Sequence, residues 1–369
     1  MKRTAVAVVV LLVAVSAVSP VVAAGGPEAS AADAEVGDCS FPLTVTDGTD
    51  TEMTIEEEPE SVVTLNPSAA QTMWEIGAEE KVTGVTKHAM NLDGADQRVN
   101  ISREGDTINP EVVVDHDPDL VLAPDSQVVS EELIEVLREA GLTVYLFPSA
   151  ESIDDIRDRT RTIGALVGEC DGAEETIEWM DEEIAIAEAA ADGQERPDAL
   201  YVFFGFTAGA ETHIHEIIEA GGATNVAAEV GIAEYEPVND EMVVEQNPDW
   251  IILNTNSPEI PDGEAYESTT AVQEEQVVTI DINHLNRPAP RVVHAISELA
   301  QTFHPEAYEE ARAEAESTPT ETETPEATPT ETPDETPDPD DQAGFAPIVA
   351  IASLLVAAVL ANRRNDGAT

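Results

Sequence analysis

The sequence predicts an α/β protein of two lobes, each built on a central, mainly parallel sheet, joined by a long helical connector. Strand-like apolar runs alternate with helical ones from Ser61 to Phe147, and the alternation resumes after Pro197. Between them lie two long helical stretches with no strand. In addition, residues 108–124, INPEVVVDHDPDLVLAP, correspond at a constant offset of 130 to residues 238–254, VNDEMVVEQNPDWIILN. That spacing is too long for a solenoid repeat and fits two lobes of similar design.

Lys2 and Arg3 precede an apolar run from Ala5 to about Ala24, which reads as a secretory signal over residues 1–24. No cysteine lies there, so a bacterial-type lipid anchor has no attachment point. The N-terminal α/β lobe is expected over residues 39–148. A short alternating pattern runs from Cys39 to Val45, and Ser61–Leu65 reads as a buried strand. Asn66-Pro67-Ser68 then starts a helix that passes Met73, Trp74 and Ile76 and stops at Gly77. Val82–Val85, Asp119–Ala123 and Thr143–Phe147 are further strands, and Val128–Ala140 is a helix ended by Gly141.

The connector, residues 149–192, holds helical stretches Ser152–Val167 and Ala173–Ala190 on either side of Gly168–Gly172. The C-terminal α/β lobe, residues 197–312, has strands at Leu200–Phe204, Trp250–Leu253 and Val277–Ile280. Its helices are His213–Ala220, closed by Gly221 and Gly222, and a last one over about Pro290–Thr302. Residues 317–340 are almost wholly Thr, Pro, Glu and Asp, a stalk composition that cannot build a core and whose threonines are candidates for O-linked glycans. The apolar stretch 343–361, broken by Pro347 and Ser353, precedes Asn362, Arg363 and Arg364. This order reads as a C-terminal membrane anchor with its arginines on the cytoplasmic side, placing the protein at the cell surface.

With 76 acidic and 16 basic residues the formal net charge is -60, and only Lys2, Lys81 and Lys87 are lysines. Such a surface repels nucleic acid, so no nucleic-acid partner is expected. Hydrophobic residues make up 42% and recur in regular runs, which argues against a disordered acidic chain. A folded core beneath a carboxylate surface suits high salt, where screening weakens like-charge repulsion, and points to a halophilic source.

Enzyme signatures are missing. GFTAG at 205–209 lacks the GxGxxG form, and neither GxxxxGK[ST], GxSxG nor HExxH occurs. No catalytic residue, resident cofactor or metal site is read. His213 and His215 stand two apart, off a common helix face, and His88 is remote from both. Cys39 and Cys170, an even pair in an exported chain, are expected to form a disulfide. Asn100-Ile101-Ser102 has the N-glycan acceptor pattern and is expected on a loop; Asn66-Pro67-Ser68 is excluded by its proline.

Within the repeat, Asn109 matches Asn239, Glu111 matches Glu241, and Pro118-Asp119 matches Pro248-Asp249. A helix–Pro-Asp–strand joint does not itself require the glutamate. One acid per lobe, equivalently placed, is what docking onto a two-subunit partner calls for.

At this point the chain resembles the binding proteins that serve ABC importers for cobalamin, ferric siderophores and heme. The resemblance covers about Phe41 to Tyr308. It is carried by EPESVVTLNPSAAQTMWEIGAEEKVTGV, NPEVVVDHDPDLVLAP, GLTVYLF, GGATNVA and NDEMVVEQNPDWIIL. It implies the class III periplasmic-binding-protein architecture, a monomer, and partnership with an ABC permease dimer and its cytoplasmic ATPase subunits. Glu111 and Glu241 would then meet arginines of the permease. Many family members have Thr-Glu where this chain has Ala70-Gln71, so a docking charge is expected to be missing there.

The resemblance also implies a small-molecule cargo, a cobalamin or ferric siderophore with heme or a metal ion as the alternative, held where loops of both lobes converge. A structural or adhesive surface protein is the reading from another class. Candidate ligand contacts are Asn66, Pro67, Ser68, Lys87, His88, Met90, Phe204, Phe206, Tyr235, Asn256 and Arg287, together with loop 124–127 and Asn286. The C-terminal stretch is similar to archaeal sorting signals in which Pro-Gly-Phe precedes the helix; here the residues are Ala343-Gly344-Phe345.

Overall fold

A computed structural model describes residues 39–103, 105, 107–124 and 129–317. These lie in one compact unit, residues 1–319; a second unit, 320–369, falls wholly outside the described residues. The expected signal segment, nearly all of the stalk, the apolar helix and loop positions 125–127 also lie outside them.

The chain enters through the antiparallel hairpin β1 (Leu43–Thr46) and β2 (Glu52–Ile55). Five strands then build a wholly parallel sheet: β3 (Val62–Thr64), β4 (Val82–Val85), β5 (Val99–Asn100), β6 (Leu120–Pro124) and β7 (Val144–Phe147), in the order β5-β4-β3-β6-β7. Helix α1 (Pro67–Glu75) follows β3, α2 (Pro110–His116) precedes β6, and α3 (Glu131–Glu139) precedes β7. Both faces of this sheet are buried. Along β6, Leu120 and Leu122 pack on the α1 side, while Val121 and Ala123 pack on the side of α2 and α3. Helix α3 starts three residues later than the sequence pattern suggests, because Ser130 caps it by accepting from Leu133 N.

The connector is a hairpin of two helices, α4 (Ile153–Val167) and α5 (Cys170–Ala191), turned by Gly168 at φ +78°. Arg157 pairs with Asp181 and Arg161 with Glu174, so the helices run antiparallel. Ile153 and Ile156 join the core of the C-terminal lobe, whereas Ile163 and Leu166 join that of the N-terminal lobe. Helix α5 repeats this in reverse, with Ala173 in the N-terminal core and Met180 and Ile184 in the C-terminal one. Sliding one lobe past the other would drag both helices out of one core. The start of α5 lies close under α1: a Cβ on Gly172 would fall 2.1 Å from the Ile76 carbonyl oxygen. Cys39 and Cys170 are disulfide-bonded, as their pairing predicts.

The C-terminal lobe carries β8 (Asp198–Tyr201), β9 (Phe206–Ala208), α6 (His213–Ala220), β10 (Thr224–Asn225), α7 (Val226–Glu229), β11 (Tyr235–Pro237) and α8 (Asp240–Gln246). Next come β12 (Trp250–Asn254), α9 (Glu264–Glu267), α10 (Thr270–Gln273), β13 (Val277–Ile280) and α11 (Ile282–Leu285). Its parallel sheet has the order β10-β8-β12-β13, and β9 pairs with β11 as a separate antiparallel ribbon. The sequence pattern ends the last helix near Thr302. The structure instead has α12 (Val292–Phe303) followed by a further helix, α13 (Pro305–Ser317). That segment is mostly Glu and Ala, so its apolar stripe is thin, but Ala307, Tyr308 and Ala311 pack into the core of this lobe and Arg312 pairs with Glu183 of α5.

The repeat has a structural counterpart at every matched position. Asn109 and Asn239 cap α2 and α8 through their side chains, and Asp117 and Asn247 end them at positive φ. Asp119 accepts from Ser61 N at 2.8 Å and Asp249 from Asp198 N at 3.0 Å, each aligning its strand with the neighbouring one. The Pro-Asp pair thus has a structural task that the matched glutamates do not share.

Candidate ligand-binding cleft

A cavity of about 570 Å³ lies between the lobes, within the size range of small-molecule sites. The N-terminal lobe supplies the loop after β3. There Asn66 Oδ1 accepts from Ala69 N at 2.9 Å, Pro67 opens α1, and Ser68 is buried. Capping uses the Asn66 carbonyl, so its amide hydrogens are what it can offer a cargo. Thr86 and His88 complete this wall. The C-terminal lobe contributes Thr212 and His213 at the start of α6, Tyr235 on β11, and the turn Asn286–Pro288. Arg159 of α4 lines the cavity from the connector, donating to the Pro148 carbonyl at 2.6 Å.

Of the sequence-derived candidates, Asn66, Pro67, Ser68, His88, Tyr235, Asn286 and Arg287 line this one cavity, as does Pro124. Lys87 and Met90 flank His88 on a 3-10 turn without lining it. Asn256 is exposed beyond β12, where its backbone N–H bonds Asn254. Phe204 and Phe206 also lie outside the cavity. They stand on a tight hairpin in which Phe203 and Phe206 exchange backbone hydrogen bonds. Phe204 occupies the tip at φ +47°, where an L-residue costs about 1–2 kcal/mol, and is 66% exposed. Tyr235 pairs with Ala208 and Pro237 with Phe206, so the ribbon leads from the cavity wall outward to these rings.

Arg159 and His213 carry no strong signal in the sequence. Arg159 does share the buried stripe of Ile156, Thr160 and Ile163 on α4, an unusual place for a guanidinium. His213 is almost fully buried, and its Nε2 has no hydrogen-bond partner. Burial pulls its pKa down to about 4, helped by the Arg159 charge and opposed by the Leu285 carbonyl, so the ring is neutral near pH 7. Tyr235 is 47% exposed, yet enough protein surrounds it for desolvation to push its pKa up to about 12, and it stays a neutral phenol. Burial lowers Arg287 to about 10, with Asp281 opposing, and the guanidinium remains charged.

Arg287 donates to Asn91 Oδ1 at 3.0 Å and to the His88 carbonyl at 2.5 Å, joining the lobes at the cavity itself; these hydrogen bonds end on neutral oxygens, not on a carboxylate. Two further ties flank it. Gln71 donates to the Asn283 carbonyl at 2.9 Å and accepts from Arg291 N, and Arg291 pairs with Glu75 at 2.6 Å. Gln71 is fully buried, so the residue that stands where many family members have a glutamate serves the contact between the lobes.

Behind Asn286, Tyr201 is fully buried and its hydroxyl accepts from Asn254 Nδ2 at 3.0 Å and Asn286 Nδ2 at 2.6 Å. Asn254 Oδ1 is taken by the backbone N–H groups of Asn256 and Ser257, which fixes the orientation of the network. Among the described residues no three His, Cys, Asp or Glu side chains converge as a metal site. A second groove, of about 700 Å³, runs between α4, α5 and α6. It takes nothing from the N-terminal sheet or its loops, whereas the inter-lobe cavity draws on both lobes; carboxylates line both, Glu151, Glu211 and Glu234 among the cavity residues.

Glu111 and Glu241 are exposed, each the second residue of its helix. Neither lines the cavity.

The sequence pattern of the periplasmic binding protein family matches residues 62–283. The cobalamin-binding protein of Halobacterium salinarum is 40% identical over 310 residues, covering 80% of this chain and 83% of its own. An uncharacterized ABC transporter substrate-binding lipoprotein of Bacillus subtilis is 27% identical, over 73% of this chain and 88% of its own. Among solved structures, the periplasmic heme-binding protein RhuT of Roseiflexus sp. RS-1 superimposes with a TM-score of 0.61 at 23% identity, covering 67% of this chain and 99% of its own. The heme-binding protein HmuT does so at 0.63 and 21%, covering 72% and 91%. At these identities the structural likeness speaks for the fold.

Proposed function

The chain belongs to the periplasmic binding protein family, and from that premise we propose that it is the extracellular substrate-binding component of an ABC importer, capturing a cobalamin between its lobes and presenting it to the permease pair. The observation that carries this reading is the duplicated helix that sets one exposed glutamate, Glu111 or Glu241, at the same position in each lobe of a protein with an inter-lobe cavity lined by both. Two equivalent contacts suit two permease subunits, while ATP hydrolysis belongs to their cytoplasmic partners. The protein binds and hands over its cargo without transforming it.

Cobalamin is favoured as cargo by the haloarchaeal relative. A corrinoid edged with carboxamides also fits the neutral donors and acceptors of the wall, Asn66, Ser68, Asn286 and the Tyr235 phenol, which stand among the charged Glu151, Glu211, Glu234, Arg159 and Arg287. Cargo reaching beyond the cavity would meet Phe206 and Phe204 along the ribbon. Heme, the alternative cargo, would draw its iron ligand from Tyr235, His88 or His213, all in the cavity lining, and a binding titration separates the two cargoes. The protein acts as a monomer, tethered at the cell surface through the stalk and apolar segment that follow α13.

Titration of the purified protein in high salt, followed by tryptophan fluorescence, tests the cargo. Saturable one-to-one binding of cobalamin, tighter than of heme or a ferric siderophore, supports the reading; a folded sample that ignores cobalamin refutes it. Glu111→Gln combined with Glu241→Gln should lower permease association and uptake at least tenfold while leaving cobalamin affinity unchanged.

A further inference from the structure

Asn100-Ile101-Ser102 does not lie on a free loop. It begins on β5, the outermost strand of the N-terminal sheet. Successive side chains of a strand point to opposite faces. Ile101 is completely buried, so Asn100 and Ser102 are turned outward together, the first exposed and the second half-buried. Asn100 Oδ1 accepts from Ser102 N at 2.9 Å, an Asx turn that holds the amide beside the hydroxyl residue. Asn100 Nδ2 makes no hydrogen bond among the described residues, which leaves the nitrogen available. The Ser102 hydroxyl accepts from Lys87 N at 2.9 Å, a bond that does not use its own hydrogen.

We propose that Asn100 carries an N-linked glycan. The donor is a lipid-phosphate-linked sugar chain on the outer face of the membrane. A bond forms between Asn100 Nδ2 and the anomeric carbon, the bond from that carbon to the phosphate oxygen breaks, the lipid phosphate leaves, and the Nδ2 proton passes to a base of the transferase.

The position gives the sugar a physical role. Strand β5 has a neighbour on one side only, and its two residues, Val99 at 38% exposure and Asn100, carry no charge on a protein whose surface is otherwise crowded with carboxylates. An uncharged open edge invites pairing with another chain, and a hydrated glycan covers it. Ile101 O accepts from Asn109 N at 2.8 Å, and Asn109 caps α2 two residues before Glu111. The glycan therefore stands beside the N-terminal docking glutamate and bounds the permease footprint on that side. It does not line the cleft. The inference requires export of the chain but is independent of which cargo the cleft takes.

Protein recovered from the cell surface of its native host should be cleaved with trypsin and the peptide Val99–Arg103 read by mass spectrometry. Most of that peptide should carry a glycan mass on Asn100. The modification should vanish in Asn100→Gln and Ser102→Ala and persist in Ser102→Thr. Reading the peptide separates this site from sugars on stalk threonines. A bare peptide in the wild-type protein overturns the inference, as does a glycan that survives Ser102→Ala. Because Asn100→Gln should bind cobalamin as the wild type does, failure of the glycan and failure of the transport reading would be told apart.

Discussion

The pair Glu75–Arg291 offers a quantitative test of how the two lobes are held. Glu75 is the last residue of α1, and Arg291 immediately precedes α12. Each charge therefore sits at the helix end where its own helix dipole disfavours it, by about 0.3–1 kcal/mol. Pairing across the lobes offsets both. Two guanidinium nitrogens approach one carboxylate oxygen at 2.6 and 2.7 Å, with the side chains 25% and 20% exposed. A hydrogen bond to a charged group contributes about 1.5–3 kcal/mol, and partial exposure brings this pair to the lower end, about 1.5 kcal/mol. Urea unfolding of the wild type, Glu75→Gln, Arg291→Met and the double variant in high salt closes a double-mutant cycle. The coupling should be about 1.5 kcal/mol, with the double variant no less stable than the weaker single. High salt shortens the reach of charges to about 3 Å at 1 M, so this contact-range coupling should persist there. The Trp179 ring lies 5.4 Å from His294, one turn along α12, and its fluorescence should change in both single variants. A coupling below about 0.5 kcal/mol with unchanged tryptophan emission would refute the idea that this pair fixes the lobes.

Three further outcomes are expected. Tyr201→Phe removes the acceptor of Asn286 Nδ2 and one of the two acceptors of Asn254 Nδ2, so stability should fall by about 1–3 kcal/mol and cobalamin affinity with it, while circular dichroism stays native. Replacing Cys39 and Cys170 with serine opens a loop of sequence separation 131; chain entropy puts the loss at up to about 5 kcal/mol, measured as a lower urea midpoint. His213 has a folded pKa of about 4 against an ordinary 6.5. The folded state thus binds fewer protons, so its stabilising effect is complete above pH 6.5 and is lost as the pH falls towards 4, by about 3 kcal/mol in all. In His213→Gln the stability profile between those pH values should flatten; an unchanged slope would show that another group controls it.

Much of this architecture is legible in the sequence. Val121 and Ala123 alternate with Leu120 and Leu122, Asn66-Pro67-Ser68 announces α1, and the offset of 130 pairs α2–β6 with α8–β12. These signals are local, because a strand repeats every two residues and a helix every 3.6. The short pieces escaped: β5, β9 and β11 have two or three residues each, too few for periodicity to show. Helix α13 was hidden because an Ala/Glu-rich helix resembles the polar stalk that follows it in composition. Six of the eleven residues singled out for ligand contact reach the cavity, since turns after parallel strands converge there. Lys87 and Met90 stand beside His88 without lining the cavity, while Phe204, Phe206 and Asn256 sit on turns that do not reach it.

By itself the sequence determined the two lobes, the helical region between them, the disulfide partners and one equivalent glutamate per lobe. All of these follow from periodicity, composition and self-similarity along the chain. Only the tertiary structure decided that the connector folds back as a hairpin, that Arg159 and His213 face the cavity, and that Gln71, Glu75 and Arg287 bind the lobes to each other. Those contacts span as many as 220 residues of chain. Burial and pairing at such distances depend on where two separately folded surfaces meet, and no local pattern encodes that.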